Sequence, residues 1–190
     1  MPRTRGSLAI AAVCAAVTAC GSAAQQPEGA GPASVPPAAS APAADSAGAG
    51  CPLSADDLSS ATSLSWDHSD TRTDHPLETQ DAVTGTTCLF TAPDHPQSGG
   101  DPLVLRVDVV TGADAETVHS AFERTCTQNG GRVTDSVAAV GARVCQRDGT
   151  VVEGTVSGSG RTVDVYFVNA DTTTATRLTQ SFDEILGAVR

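Results

Sequence analysis

The composition of this 190-residue chain changes abruptly at Cys51, and the change limits where a folded domain can lie. Between residues 21 and 50, 25 of 30 residues are Ala, Gly, Pro or Ser, and none is aromatic. Such a segment cannot bury enough apolar surface to offset the conformational entropy that ordering would cost. We therefore predict a disordered linker over residues 20–50 and a single folded domain over residues 51–190.

The first 20 residues have the pattern of a bacterial lipoprotein signal. Arg3 and Arg5 are followed by an uncharged apolar stretch over residues 8–17, which is too short to span a membrane as a helix. Residues 17–20, Val-Thr-Ala-Cys, match a lipobox, in which cleavage precedes a cysteine that carries diacylglycerol. We predict a signal peptide over residues 1–19 and lipidation of Cys20, with palmitate among its acyl chains. An ordinary secretory signal cut near Ala19 is the alternative.

Lipidation at Cys20 would hold the protein at the cell membrane on its extracytoplasmic face. Two acyl chains on one residue suffice for stable anchoring. A membrane reached through this lipid is therefore the first expected partner.

The folded part contains four cysteines, Cys51, Cys88, Cys126 and Cys145, with wide spacings and no Cys-x-x-Cys motif. An even number of cysteines in an exported domain is typical of disulfides rather than of a zinc or redox site. Three pairings are possible. We favour Cys51–Cys88 with Cys126–Cys145, because each pair then joins neighbouring elements without crossing the other.

Hydrophobic periodicity predicts three helices. Ser54 can cap a helix over 55–62 with Asp57 in a capping box, Asp114 can cap a second helix that ends near residue 129, and Asp171 precedes a third, amphipathic one. Residues 67–84 are polar and aperiodic and are predicted to form a long loop. Strands are predicted over 86–91, 103–110, 132–137, 142–147, 150–157 and 161–168, with Asp148-Gly149 as a hairpin turn.

These elements indicate the α+β class. We expect an antiparallel sheet of about five to six strands, covered on one face by the short N-terminal helix, the middle helix and the C-terminal helix, with two disulfides.

Several short motifs resemble those of one group of proteins. After the lipobox and linker come "CPLSADDL", then Cys88-Leu89-Phe90, then "VAAVGARV" after the second helix. The chain resembles small actinobacterial cell-envelope lipoproteins that are classed as a domain of unknown function, over residues 51–190. The group has no established chemistry, so the resemblance implies no catalytic residue and no cofactor.

Charge narrows the range of partners. The chain contains no lysine, and after loss of the signal nine arginines stand against 22 acidic residues, a net charge of −13. Nucleic acid is not an expected partner, because binding it requires a basic surface.

Residues 67–81 carry the densest group of acidic and imidazole side chains. Asp67, His68, Asp70, Asp74 and His75 are weak candidates for metal ligands, and Glu78 and Asp81 follow them. Carboxylates and imidazoles can bind a divalent cation, but the order matches no calcium loop, and a solvated acidic loop is the simpler interpretation. We predict no cofactor.

His119, Glu123 and Cys126 recur at helical spacing and could share a face, but a site built on them would need Cys126 to be free. The sequence contains no Gly-x-Ser-x-Gly elbow, phosphate loop or dinucleotide fingerprint, so we predict no catalytic residue. Of the two large amphipathic aromatics, we expect Trp66 in the core and Tyr166 facing outward.

The leading hypothesis is therefore a lipid-anchored, non-enzymatic module of the cell envelope that binds a protein or a small envelope ligand. The alternatives are an enzyme or metal-binding protein that uses residues 67–81, and a surface lipoprotein with no discrete ligand.

Overall fold

Within residues 50–97 and 99–189, which the computed structural model describes, seven antiparallel strands form one sheet. The predicted signal peptide, Cys20 and the linker up to residue 49 lie outside the described residues. The strands are β1 (Asp67–Leu77), β2 (Gln80–Pro96), β3 (Pro102–Thr111), β4 (Arg132–Asp135), β5 (Ala142–Arg147), β6 (Thr150–Gly158) and β7 (Arg161–Phe167), in the spatial order β1-β2-β3-β7-β6-β5-β4. The helices are α1 (Ala55–Thr62), α2 (Ala113–Gln128), α3 (Thr172–Leu178) and α4 (Phe182–Ala188), with a 3₁₀ turn over Thr179–Ser181. The α+β class is as predicted, but the sheet has more strands than the five or six expected.

The additional strand lies where a loop was predicted. Residues 67–84 form β1, a two-residue turn and the start of β2, so the predicted loop is wrong. Only Leu77 of β1 is buried, and the register with β2 shifts at three places, one of them beside Pro76. An edge strand that is solvated on both faces carries no alternation of apolar and polar residues, which is why its sequence reads as a loop.

The two faces of the sheet carry different layers. Leu103, Leu105, Val107 and Val109 of β3 point into the main core, which also contains Trp66, Phe182, Ile185 and Leu186. This core is covered by α1, α3 and α4, and the burial of Trp66 agrees with the prediction.

Helix α2 packs against the other face. Val118 contacts Val110 of β3, and Phe122 packs with the Cys126–Cys145 pair. The expectation that all the helices share one face is therefore wrong. The second face also carries buried polar residues, and α2 completes a three-layer arrangement.

The helix ends are partly as predicted. Ser54 caps α1, with its Oγ accepting from Asp57 N–H at 3.1 Å and Asp57 Oδ2 accepting from Ser54 N–H at 3.0 Å. Asp114 does not cap α2; the cap is Gly112, which has a positive φ and makes no side-chain bond, and Asp114 lies in the first turn.

The C-terminal amphipathic segment is not one continuous helix. Asp171 caps α3 as predicted, accepting from Thr174 N–H at 2.8 Å. At the break before α4, the Thr179 hydroxyl accepts from Val151 N–H of β6 and donates to Ala175 C=O. The break thus coincides with a bond between the helix and the sheet.

Both pairs of cysteines lie at disulfide distance. The Sγ atoms of Cys51 and Cys88 are 2.00 Å apart, and those of Cys126 and Cys145 are 2.01 Å apart. The first pair ties the segment before α1 to β2, and the second ties the end of α2 to β5. These are the pairs that the sequence favours.

No described helix combines the length and the apolar character that crossing a bilayer would require.

Candidate functional site

The acidic and imidazole residues of 67–81 do not come together. Asp67, His68, Asp70, Asp74 and His75 are spread along β1, and within residues 50–97 and 99–189 no group of three or more His, Cys, Asp or Glu side chains is placed to hold a metal ion. Arg72 Nε donates to Asp70 Oδ2 at 2.7 Å, and His68 Nε2 lies 2.7 Å from Thr71 Oγ1. The His68 ring also packs edge-on against Phe90 of β2.

The most unusual chemistry of the described residues lies on the sheet face beneath α2. We call this set the polar layer; its side chains come from four strands and are buried or half-buried. They are Thr87, Arg106, Asp108, Glu153, Thr155, Asp164 and Tyr166.

In one half of the polar layer, Arg106 bonds to several neighbouring side chains. Its Nε donates to both carboxylate oxygens of Asp108 at 3.0 Å, and its other nitrogens donate to Glu78 Oε2 at 2.8 Å and Thr87 Oγ1 at 3.3 Å. Burial disfavours the guanidinium charge, but Asp108 and Glu78 outweigh this and leave the pKa of Arg106 raised. The Tyr166 hydroxyl donates to Asp108 Oδ2 at 3.2 Å, so this ring is held in the layer and does not point freely outward as expected. This half of the layer is fully paired.

The other half is not paired. Asp164 is 4% exposed and Thr155 is fully buried, yet Asp164 Oδ1 and Thr155 Oγ1 have no partner in good hydrogen-bond geometry within the described part of the chain. Burial raises the pKa of Asp164 to about 8, with a contribution from the negative charge of Glu153, while the nearby Thr155 hydroxyl opposes the rise. Burial likewise raises the pKa of Glu153 to about 7, against the attraction of Arg147. Asp164 is thus buried, and Glu153 half-buried, with little compensation of their negative charges.

A small cavity of about 30 Å³ adjoins these two carboxyl groups. It lies between α2 and the β1–β2 turn. Its lining residues are Thr79, Gln80, Ala121, Phe122, Thr125, Glu153 and Asp164.

A serine, a histidine and a glutamate also meet beneath α2. Ser157 Oγ lies 2.9 Å from His119 Nδ1, and His119 Nε2 lies 3.7 Å from Glu123 Oε1. The arrangement superficially resembles a hydrolase triad, and sequence reasoning missed it because Ser157 lies in what reads as a hairpin end.

The positions of the hydroxyl protons argue against a nucleophilic serine. Thr162 Oγ1 donates its single proton to Ala115 C=O at 2.9 Å, so in the 3.0 Å contact between Ser157 and Thr162 the serine must donate. His119 Nδ1 must then donate to Ser157 and cannot accept its proton. Cys126 is held by Cys145 and does not join this group. The cluster ties the β6–β7 hairpin to α2.

A third feature lies at the end of the sheet, where β4 is the edge strand. An open groove of about 610 Å³ runs beside it, lined by residues of β4, β5 and the C-terminal half of α2. The lining residues are Glu123, Thr127, Gly131, Arg132, Val133, Thr134, Asp135 and Arg143. Arg143 bridges the groove wall, donating from Nε to Asp135 Oδ1 at 3.1 Å and contacting Glu123.

The pairing of β4 with β5 shows which of its main-chain groups face the groove. Ser136 N–H donates to Ala142 C=O at 2.9 Å, in continuation of the register in which Thr134 faces Val144. Because hydrogen-bonded and non-hydrogen-bonded positions alternate along an antiparallel pair, Val133 and Asp135 direct their N–H and C=O groups away from β5. We call these groups the β4 edge.

The comparisons with known proteins add no relative. No family model matches the sequence, and the searches of curated proteins and of solved structures likewise found no match.

Proposed function

We propose that this chain is a lipid-anchored, extracytoplasmic interaction module of the cell envelope that works without catalysis. The lipobox at Cys20, the linker behind it and the two disulfide-distance cysteine pairs support the location. A domain tethered in this way meets its membrane-bound partners at a raised effective concentration.

The observation that carries the proposed mode of binding is the β4 edge. Its outward N–H and C=O groups lie beside an open groove, and an extended peptide can satisfy such groups by adding a strand to the sheet. The occupant we propose is an extended segment of an envelope protein. Both signs of charge line the groove, Arg132 and Arg143 with Glu123 and Asp135, which suits polar side chains of such a segment.

The opposite edge of the sheet is less suited to this role. β1 has three shifts of register, contains Pro76 and carries charged side chains, all of which discourage pairing with another strand. β4 is only four residues long, but its register with β5 has no shift.

The alternative of an enzyme or metal-binding protein built on residues 67–81 has no supporting contact among the described side chains. Its metal-ligand candidates lie along an edge strand, and in the described part of the chain no three His, Cys, Asp or Glu side chains are placed to hold a metal ion. The Ser157–His119–Glu123 cluster does not support an enzyme either, because the serine proton is directed to Thr162.

Site-specific photo-crosslinking in cells tests the interaction. A photoreactive amino acid replaces Arg132 at the groove rim, and a matched variant carries it at Arg72 on the β1 edge, which is also exposed. We expect Arg132 variants to capture one envelope protein through one continuous segment, and a synthetic peptide of that segment to bind the purified protein. The same captured set at both positions, or a peptide that does not bind, would contradict the proposal.

The anchoring is tested separately by Cys20→Ala. We expect this variant to lose metabolic labelling by fatty acid, because the acylated thiol is absent. Labelling that persists in Cys20→Ala would contradict anchoring at this residue.

A further inference from the structure

We infer that the cavity beneath α2 is a site for a single hard cation of the Ca²⁺ type, held by the carboxylates of Glu153 and Asp164. This site is separate from the β4 edge and does not depend on the proposed function.

The sheet register brings the oxygen donors together. Asp164 of β7 lies directly opposite Thr155 of β6, and Glu153 lies two residues before Thr155 on the same face. Side chains related in this diagonal way are within reach of each other across an antiparallel pair. Both carboxylates line the cavity.

One side of the cavity is lined by the two carboxylates, and the cavity has room for one small ion. A volume of about 30 Å³ exceeds the roughly 10–15 Å³ that one water molecule needs, so a single ion fits and a drug-sized organic ligand does not. Thr79, Gln80 and Thr125 add neutral oxygen donors, while Ala121 and Phe122 close the helix side. Thr79, which lines the cavity at the β1–β2 turn, is exposed to solvent.

The unpartnered oxygens are the observation that points to a ligand. Asp164 lines the cavity, and its Oδ1 is buried without a partner in good geometry in the described part of the chain, a state that costs free energy unless something binds there. Thr155 Oγ1 is also without a partner in good geometry, but Thr155 is not among the lining residues. Of the arginines nearby, Arg106 is paired with Asp108 and Glu78. Arg147 attracts the Glu153 carboxylate electrostatically, but its Nε makes no hydrogen bond among the described residues. A divalent ion would balance the two carboxylate charges.

The chemistry of the donors selects the class of cation. The cavity offers carboxylate, hydroxyl and amide oxygens, and no sulfur or imidazole. Ca²⁺ prefers such oxygens in flexible geometries, whereas Zn²⁺ and Cu²⁺ favour nitrogen and sulfur. The site contains two carboxylates, fewer than a cluster of three or more acidic or imidazole ligands. The other ligands of the cation would be neutral oxygens.

Titration calorimetry and thermal unfolding of the chelator-treated full chain test the inference, with CaCl₂ and MgCl₂ as probes at pH 8. We expect one equivalent of Ca²⁺ to bind and to raise Tm, and Asp164→Asn to weaken binding at least tenfold. Asp81→Asn, which removes an exposed carboxylate next to the same turn, is the matched control and should bind like the wild type.

Three results would overturn the site. One is the absence of heat and of a Tm shift with either ion. The second is equal binding by Asp164→Asn and Asp81→Asn. The third is a Tm that rises on acidification but not on addition of either ion, which would mean that protons rather than a cation neutralise the pair. Glu153→Gln serves as the second variant if Asp164→Asn does not fold, and it should lose binding to a similar extent.

Discussion

Asp108 and Asp164 lie directly opposite each other on β3 and β7, yet their surroundings differ. Asp108 accepts hydrogen bonds from Arg106, Thr87 and Tyr166, so its charge is compensated. Asp164 has an oxygen with no partner in good geometry. A single cross-strand pair therefore contains one carboxylate that stabilises the layer and one that destabilises it when ionised.

Asp164 should make the stability of the chain dependent on pH in chelator-treated solution. Its pKa is about 8 in the folded state against 3.8 in a model peptide, so its contribution is fully present below pH 3.8 and is lost as the pH rises toward 8. We expect Asp164→Asn to become more stable than the wild type by about 1–3 kcal/mol at pH 8 and to lose this advantage at acidic pH. Urea unfolding across the pH range measures it, and an Asp164→Asn protein that is less stable than the wild type at pH 8 would refute the assignment.

Arg106 should be among the most costly residues of the polar layer to replace. Arg106→Leu leaves Asp108, which is 2% exposed, without its cationic partner, and breaking a buried ion pair costs about 3–5 kcal/mol. The control is Arg72→Leu on the exposed edge of the sheet, where we expect a much smaller change. Equal losses of unfolding free energy in urea for the two variants would contradict this role.

At the scale of elements, the parts predictable from sequence are those where local periodicity and burial agree. Strand β3 alternates cleanly because one face meets the main core, and the Ser54 capping box is visible as Ser-x-x-Asp. The turns at Asp148-Gly149 and Ser159-Gly160 have positive φ at both residues, as Asp-Gly and Ser-Gly sequences allow.

The structural features that could not be predicted from the sequence depend on which helices and strands contact each other in the fold. β1 is exposed on both faces and carries no period. The polar layer was missed because Arg106 and Asp108 look like a solvated strand face until Glu78, Thr87 and Tyr166 are placed around them. The sequence did contain a signal for this layer. Strands β3 and β7 both carry charged residues on one face and apolar residues on the other, and the amphipathic second helix needed a surface to pack against. The β4 edge and the cavity depend on strand order, which local patterns do not determine.

Gly154 of β6 allows α4 to pack closely on the sheet. A Cβ at this position would lie 3.0 Å from Leu186 Cδ1 and 3.2 Å from Phe182 Cδ1. We expect Gly154→Val to destabilise the chain by about 1–3 kcal/mol through overpacking. Gly158→Val in the same strand is the control, because a Cβ there meets no atom within 4 Å. Thermal unfolding that ranks Gly158→Val as the more damaging change would be inconsistent with this packing.

At the scale of the whole molecule, anchoring and recognition are assigned to different parts of the chain. The proposed anchor is Cys20, the linker predicted over residues 20–50 would set the reach, and the β4 edge is the proposed contact. The net charge of −13 expected after loss of the predicted signal fits this division, because it disfavours lying flat on an anionic membrane.

The comparison of Val133→Pro with Val133→Ala tests whether a partner binds by adding a strand at the β4 edge. Proline removes the outward N–H of Val133, which β5 does not use, so the β4–β5 ladder is retained; alanine shortens the side chain but keeps the N–H. With photo-crosslinking from position 132 as the readout, and circular dichroism to confirm folding of both variants, we predict that Val133→Pro reduces capture of the envelope protein at least tenfold, whereas Val133→Ala retains most of it. Equal capture by the two folded variants would contradict binding by strand addition at the β4 edge.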